Sequence, residues 1–268
     1  MPDATILDKI VAQRRLDVAA AKLAVPEAAL RERLHLSPPA IDFRDRLYAA
    51  GPMALIAEIK RASPSKGDIA PGIDAASQAK LYAAAGAAGI SVLTEPSWFK
   101  GSLDDMLSVR QVVDHLGGAR PGILRKDFII DPYQLLEAAV YGADAALLIV
   151  ACLDDAALRN LIRECQALDM EPLVEVNNAD EAERAVAAGA GLIGINNRDL
   201  RSFAVDLSTT ERLAGIFPEH VLLAALSGVS TRADVERFAR AGARAVLVGE
   251  ALMVAADPAV RIRELLGR

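Results

Sequence analysis

Apolar residues along this chain gather in short runs, each entered from a helix-like segment through a Gly-Ala pair or a near variant. The pattern recurs as AGAAGISVL (Ala85–Leu93), YGADAALLIV (Tyr141–Val150), AGAGLIGI (Ala188–Ile195) and AGARAVLV (Ala241–Val248). The glycine suits a left-handed helix C-cap, and the run after it suits a parallel strand buried on both faces. Four strands are marked less strictly, as ALIAEIK, GILRK, EPLVEV and VLLAAL, which makes eight in all. Helical periodicity follows each strand. It is clearest in DAASQAKLYAAAG, DEAERAVAAG and TRADVERFARAG, which carry Asp or Thr near their starts.

Strand starts lie roughly 20 to 36 residues apart, as βα units require, and the total length matches the roughly 250 residues of a (β/α)8 TIM barrel. A doubly wound open sheet would be favoured by a glycine-rich dinucleotide loop after the first strand, but RASPSKG is no GxGxxG. Residues 1–50 precede the barrel as an N-terminal helical extension. They contain a helix in TILDKIVAQRRLDVAAAKLA, a shorter one in PEAALRERL and a connector with SPP. Such an extension either plugs the underside of the barrel or folds over its top. The chain as a whole reads as one barrel domain.

Composition narrows the function. A net charge of −6 over 268 residues argues against nucleic-acid binding, while a local cluster of Lys and Arg can still hold an anionic small molecule. No run approaches the roughly twenty apolar residues that span a bilayer. The amino terminus is acidic and has no signal-peptide core, so a cytoplasmic protein is expected, with no membrane partner. Cys152 and Cys165 form no CxxC pair, and with His35, His115 and His220 they make no metal spacing.

In such a barrel the chemistry comes from the C-terminal ends of the strands. Unexpected polar residues fall there. Strand one ends with Glu58 and Lys60, which share a face because they are two apart. Strand three ends with Arg125, Lys126 and Asp127, and strand five carries Glu175 inward if Leu173 is inward. Strand six ends with Asn196 and Arg198, strand seven with Ser227 and Gly228, and strand eight with Gly249 and Glu250. Any one of these has a plain alternative, a charge reaching water. Six strands converging on one rim favour acid–base chemistry on an anion. The small residues in LSGVSTRADV and VGEALM sit where this fold holds phosphate on backbone N–H groups. Ser63 and Lys66 belong to a polar loop after strand one, open to a second anionic group or simply solvated.

The motifs EIKRASPSKG, SVLTEPSWFKGS, LRKDFIIDPYQ, PLVEVNN, IGINNRDL, LSGVSTRADV and VLVGEALM resemble those of the indole-3-glycerol-phosphate synthase family from the first strand to the last, and ILDKIVAQRRLDV resembles its amino-terminal extension. The resemblance implies ring closure of 1-(2-carboxyphenylamino)-1-deoxyribulose 5-phosphate, with loss of CO2 and water, in tryptophan biosynthesis. It implies a phosphorylated small-molecule substrate, no cofactor and no metal; a monomer is expected separately. By resemblance Lys126 is the general acid for ring closure, and Glu58, Glu175 and Lys60 are the groups available for the later dehydration. Lys60 and Ser63 hold the anthranilate carboxylate, while Asn196 and Arg198 orient the ribulose hydroxyls. Ser227, Gly228, Gly249 and the backbone N–H of Glu250 hold phosphate, and Trp98, Phe99 and Phe128 form an apolar wall. Many members carry Glu just before the Ser-Gly of strand seven; here that position is Leu226. Two chemistries of the same fold compete with this reading. An isomerase of phosphoribosylanthranilate would be expected to place Cys where Lys60 stands, and a Schiff-base aldolase would use Lys126 as its nucleophile. A non-catalytic barrel that keeps only the phosphate loops is the third alternative.

Overall fold

The computed structural model describes residues 5–116 and 119–268. Eight strands close into one all-parallel barrel: β1 (Ala54–Ile59), β2 (Gly89–Leu93), β3 (Gly122–Lys126), β4 (Ala145–Ile149), β5 (Glu171–Val176), β6 (Leu192–Asn196), β7 (Leu222–Leu226) and β8 (Ala245–Val248), with β8 pairing back onto β1. The expected strands are therefore present and close as a TIM barrel. Three helices precede β1: α1 (Ile6–Ala24), α2 (Glu27–Leu34) and α3 (Phe43–Tyr48). Residues 1–4 of the extension lie outside the described residues. The outer ring is α4 (Ala75–Ala84), α5 (Leu103–Asp114), α6 (Pro132–Val140), α7 (Asp155–Ala167), α8 (Ala179–Ala187), α9 (Ser208–Leu213), α10 (Arg232–Arg240), α11 (Glu250–Met253) and α12 (Pro258–Leu266).

Period-two alternation divides the core into two clusters. Leu55, Ala57 and Ile59 of β1 face the helices, as do Val174 and Val176 of β5. Ala54, Ile56, Leu124, Leu147, Leu173, Leu192, Leu222 and Leu226 fill the barrel interior. Leu173 is inward, so Glu175 is inward as well. Helix starts follow their caps: Asp74, Asn178 and Thr231 each accept a hydrogen bond from a backbone amide of the first turn of α4, α8 and α10. The glycines of the repeated motif, at 86, 142, 189 and 242, all take positive φ.

The extension does both of the things open to it. Below the barrel, α3 inserts Phe43 so closely that a Cβ on Gly122 would collide with its ring. The connector around SPP thus ends in a helix that its composition does not announce. Above the barrel, α1 reaches the opposite rim, where Leu7 lies beside Ile149, Glu175 and Leu200. Arg14 of α1 is fixed there by Asp127, with Nε 3.2 Å from Oδ1. The polar loop after β1 contains a small antiparallel hairpin that pairs Ala62 with Asp68 and Ser63 with Gly67. Among the described residues, no helix is long and apolar enough to cross a membrane.

Candidate active site

A cavity of about 520 Å3 opens at the C-terminal ends of the strands. Thirteen of the candidate residues line it: Glu58, Lys60, Ser63, Phe99, Lys126, Phe128, Glu175, Asn196, Arg198, Ser227, Gly228, Gly249 and Glu250. Trp98 does not line it; that ring packs instead against the interior cluster. Among the described residues, no group of three or more His, Cys, Asp or Glu side chains is placed to hold a metal ion.

Two carboxylate–ammonium pairs face the cavity. Glu58 is 4% exposed, and its Oε1 accepts a hydrogen bond of 2.7 Å from Lys60 Nζ. Burial pushes the Glu58 carboxyl up, but Lys60, Lys126 and Arg198 outweigh it and hold the pKa below the ordinary carboxylate value. Glu58 is therefore an ionised carboxylate at neutral pH. A Cβ on Gly249 would collide with Glu58 Oε1, so the glycine at the end of β8 makes room for this carboxylate.

The second pair is looser. Lys126 Nζ lies 3.8 Å from Glu175 Oε2, an oxygen that finds no hydrogen-bond donor among the described residues. The other oxygen, Oε1, accepts 2.8 Å from Asn196 Nδ2. Asn196 is held in turn by the Arg198 amide, which donates to its Oδ1 at 2.9 Å. An ammonium at this distance is free to move onto a substrate oxygen without breaking a short ion pair.

Apolar groups complete the walls. The Phe99 and Phe128 rings sit 6.0 Å apart with a 40° tilt, a spacing suited to grip one side of a flat ring. Leu147, Ile149, Leu226 and Leu247 form the floor. Leu226 points inward, into the space that a Cβ on Gly194 would occupy. At the far end lie Ser227 (φ 63°) and Gly228 (φ 82°), next to α11, whose first turn has no side-chain cap. Its leading amides are thus open to an anion. From the β1 loop Lys66 Nζ reaches to 3.3 Å from Glu250 Oε1, which brings a cation to this end.

Several contacts at the rim carry no signal in the sequence. Asp127 binds Arg125, Arg14 and Thr94 directly after Lys126. Burial pushes the Asp127 carboxyl up, and the two guanidinium groups outweigh it and hold its pKa low. Arg14 stands 113 positions away in the chain, so no local pattern links the two. Asn197 is buried beside Asn196, and the doubled asparagine in GINNRDL is the sequence's only trace of it.

A family model described as indole-3-glycerol phosphate synthase matches residues 7–265. The chain belongs to that family. A multifunctional tryptophan biosynthesis protein of Schizosaccharomyces pombe (strain 972 / ATCC 24843) is 54% identical over 266 residues, covering 98% of this chain and 35% of that protein. An indole-3-glycerol phosphate synthase of Roseiflexus sp. (strain RS-1) is 48% identical over 267 residues, covering 98% of each chain. The chain thus spans about a third of the length of the multifunctional relatives, at 34–35% of each, and nearly all of the Roseiflexus protein. Among solved structures, 3-hexulose-6-phosphate synthase from Salmonella typhimurium aligns with a TM-score of 0.61 at 16% identity, covering 80% of this chain and 96% of that one. That likeness is one of fold.

Proposed function

We propose that this member of the indole-3-glycerol phosphate synthase family converts 1-(2-carboxyphenylamino)-1-deoxyribulose 5-phosphate to indole-3-glycerol phosphate, CO2 and water. The observation that carries the reading is the Lys126 ammonium, loosely paired with Glu175 and electrostatically coupled to Glu58 inside one cavity. The ring carbon that bears the carboxylate attacks the C2 ketone, and Lys126 delivers a proton to the oxygen as the new bond takes its electron pair. Loss of CO2 returns the carboxylate's bonding electrons to the ring and restores its aromaticity. The hydroxyl at C2 then leaves as water, and removal of a proton closes the indole double bond. Glu175, with one oxygen that finds no donor among the described residues, and Glu58, held ionised against Lys60, are the groups that carry this proton traffic.

Binding follows the same geometry. Lys60 and Ser63 take the substrate carboxylate, Asn196 and Arg198 the ribulose hydroxyls, and Phe99 and Phe128 one side of the aromatic ring. Ser227, Gly228, Gly249 and the Glu250 amide take phosphate. Incubating the purified chain with the carboxyphenylamino substrate and following indole absorbance and fluorescence tests the reading. Product with stoichiometric CO2 is expected, and absence of indole at saturating substrate overturns it.

A further inference from the structure

The asparagine that ends β6 and the one that follows it point to different partners. Asn196 turns into the cavity toward Glu175, whereas Asn197 turns sideways toward β7. Asn197 is 1% exposed, and every polar atom of its amide is engaged. Its Nδ2 donates to the carbonyl of Leu226 at 3.0 Å and to that of Ser227 at 3.4 Å. Its Oδ1 accepts from the Thr210 amide at 3.1 Å and from the Thr210 hydroxyl at 2.9 Å. The backbone joins the same arrangement: Asn197 N donates to the Leu226 carbonyl at 2.9 Å, and Asp206 N donates to the Asn197 carbonyl at 2.8 Å.

What this side chain grips is, among the described residues, the one place at the rim where two successive residues, Ser227 and Gly228, both hold positive φ. A serine in the left-handed region is unfavourable unless its surroundings over-determine it. Asn197 supplies that constraint by fixing the carbonyls on either side of the Ser227 amide. The loop after β6 packs against the turn. A Cβ on Gly228 would collide with Leu207 Cδ2 at 2.6 Å and Val205 Cγ1 at 2.8 Å. The loop after β6 is thus in close contact with the turn, and the Thr210 contact ties it to the first turn of α9.

We propose that Asn197 is a positioning residue for the anion end of the site. It holds Ser227 and Gly228 in the left-handed turn that aims their amides at the substrate phosphate, with Thr210 fixing its orientation. The inference rests on the reading of Ser227 and Gly228 as phosphate-binding. It assigns no contact between Asn197 and substrate.

The test uses inorganic phosphate as a competitive inhibitor, with steady-state kinetics and thermal unfolding on the same preparations. In Asn197→Asp the acceptor for Thr210 survives while the donor to the two carbonyls is lost. Inhibition constants for phosphate and KM should rise together, on the order of tenfold, with kcat changed less than about threefold. Thr210→Val keeps the shape, removes only the hydroxyl donor, and should raise both constants by about threefold. It serves as the decisive variant if Asn197→Asp does not fold. A lowered melting temperature with unchanged phosphate inhibition in the folded enzyme shows a structural residue and overturns the proposal. A fall in kcat at constant KM also overturns it. Failure of phosphate to compete in the unsubstituted enzyme overturns the phosphate reading itself, whereas competition there with no change in either variant removes the role of Asn197 alone.

Discussion

At the scale of single residues, the site depends on charges whose partners differ in tightness. Lys60 is held at 2.7 Å by Glu58, but Lys126 stands 3.8 Å from Glu175 and is the more loosely held ammonium. Replacing Lys126 with Ala should lower kcat by about 10²–10⁴-fold while phosphate still inhibits, since the anion end is left intact. Near-normal kcat in that variant would remove Lys126 from the mechanism. Glu58 is ionised and buried, so Glu58→Gln keeps its shape while removing the charge that faces Lys60. We expect kcat to fall much more than KM rises, the signature of an interaction made mainly in the transition state. If the variant instead unfolds early and turns over normally at low temperature, the pair serves stability only.

At the scale of elements, the helices end through a repeated device. After α4, α6, α8 and α10 a glycine takes positive φ, and the next amide bonds back five residues: Ala87 to Tyr82, Ala143 to Ala138, Ala190 to Ala185 and Ala243 to Phe238. Helix α7 ends in the same way, with Met170 N donating to the Cys165 carbonyl at 3.1 Å, but the left-handed position is Asp169 (φ 58°). An L-residue there carries strain that glycine does not, partly offset by the extra chain entropy glycine loses on folding. Asp169→Gly is therefore expected to stabilise the protein by about 0.5 kcal/mol, read as a higher urea midpoint with kcat unchanged. A lower midpoint would mean that the aspartate side chain contributes more than its backbone costs.

At the scale of the whole molecule, the two ends of the barrel respond to pH in opposite directions. At the bottom, burial pushes the Glu171 carboxyl up to about 7, with Arg44 of α3 at 3.5 Å compensating only in part. Its folded pKa lies above the ordinary value, so its contribution to stability is complete below the unfolded pKa and is lost as pH rises through about 7. Glu171→Gln should match the parent enzyme near pH 5 and exceed it at pH 8 by about 1–3 kcal/mol, measured by urea unfolding at both values. Equal differences at the two pH values would show that Glu171 does not titrate in this range. At the top, Glu58 and Asp127 have depressed folded pKa values. Their contribution is present above the unfolded carboxylate range and lost as pH falls through the folded values.

The alternation of apolar runs and amphipathic segments, punctuated by Gly-Ala, was enough to read eight strands in barrel order, because strand burial and helix capping are local properties of the chain. The rim residues Glu58, Lys60, Lys126, Glu175, Asn196 and Arg198 were legible for a related reason. A polar group at the end of a buried strand breaks an otherwise apolar period, and the barrel leaves few directions for it to point. Three features were decided only by tertiary structure. Helix α3 is a six-residue segment whose stability comes from burying Phe43 and Leu47 under the barrel, not from its own propensity. Arg14 meets Asp127 across 113 positions because α1 lies over the rim. Asn197 acts on a turn thirty positions away, through carbonyls that any sequence would supply. Local pattern records what a residue needs from its neighbours in the chain. Which distant groups it meets depends on how the closed barrel brings the ends of its strands together.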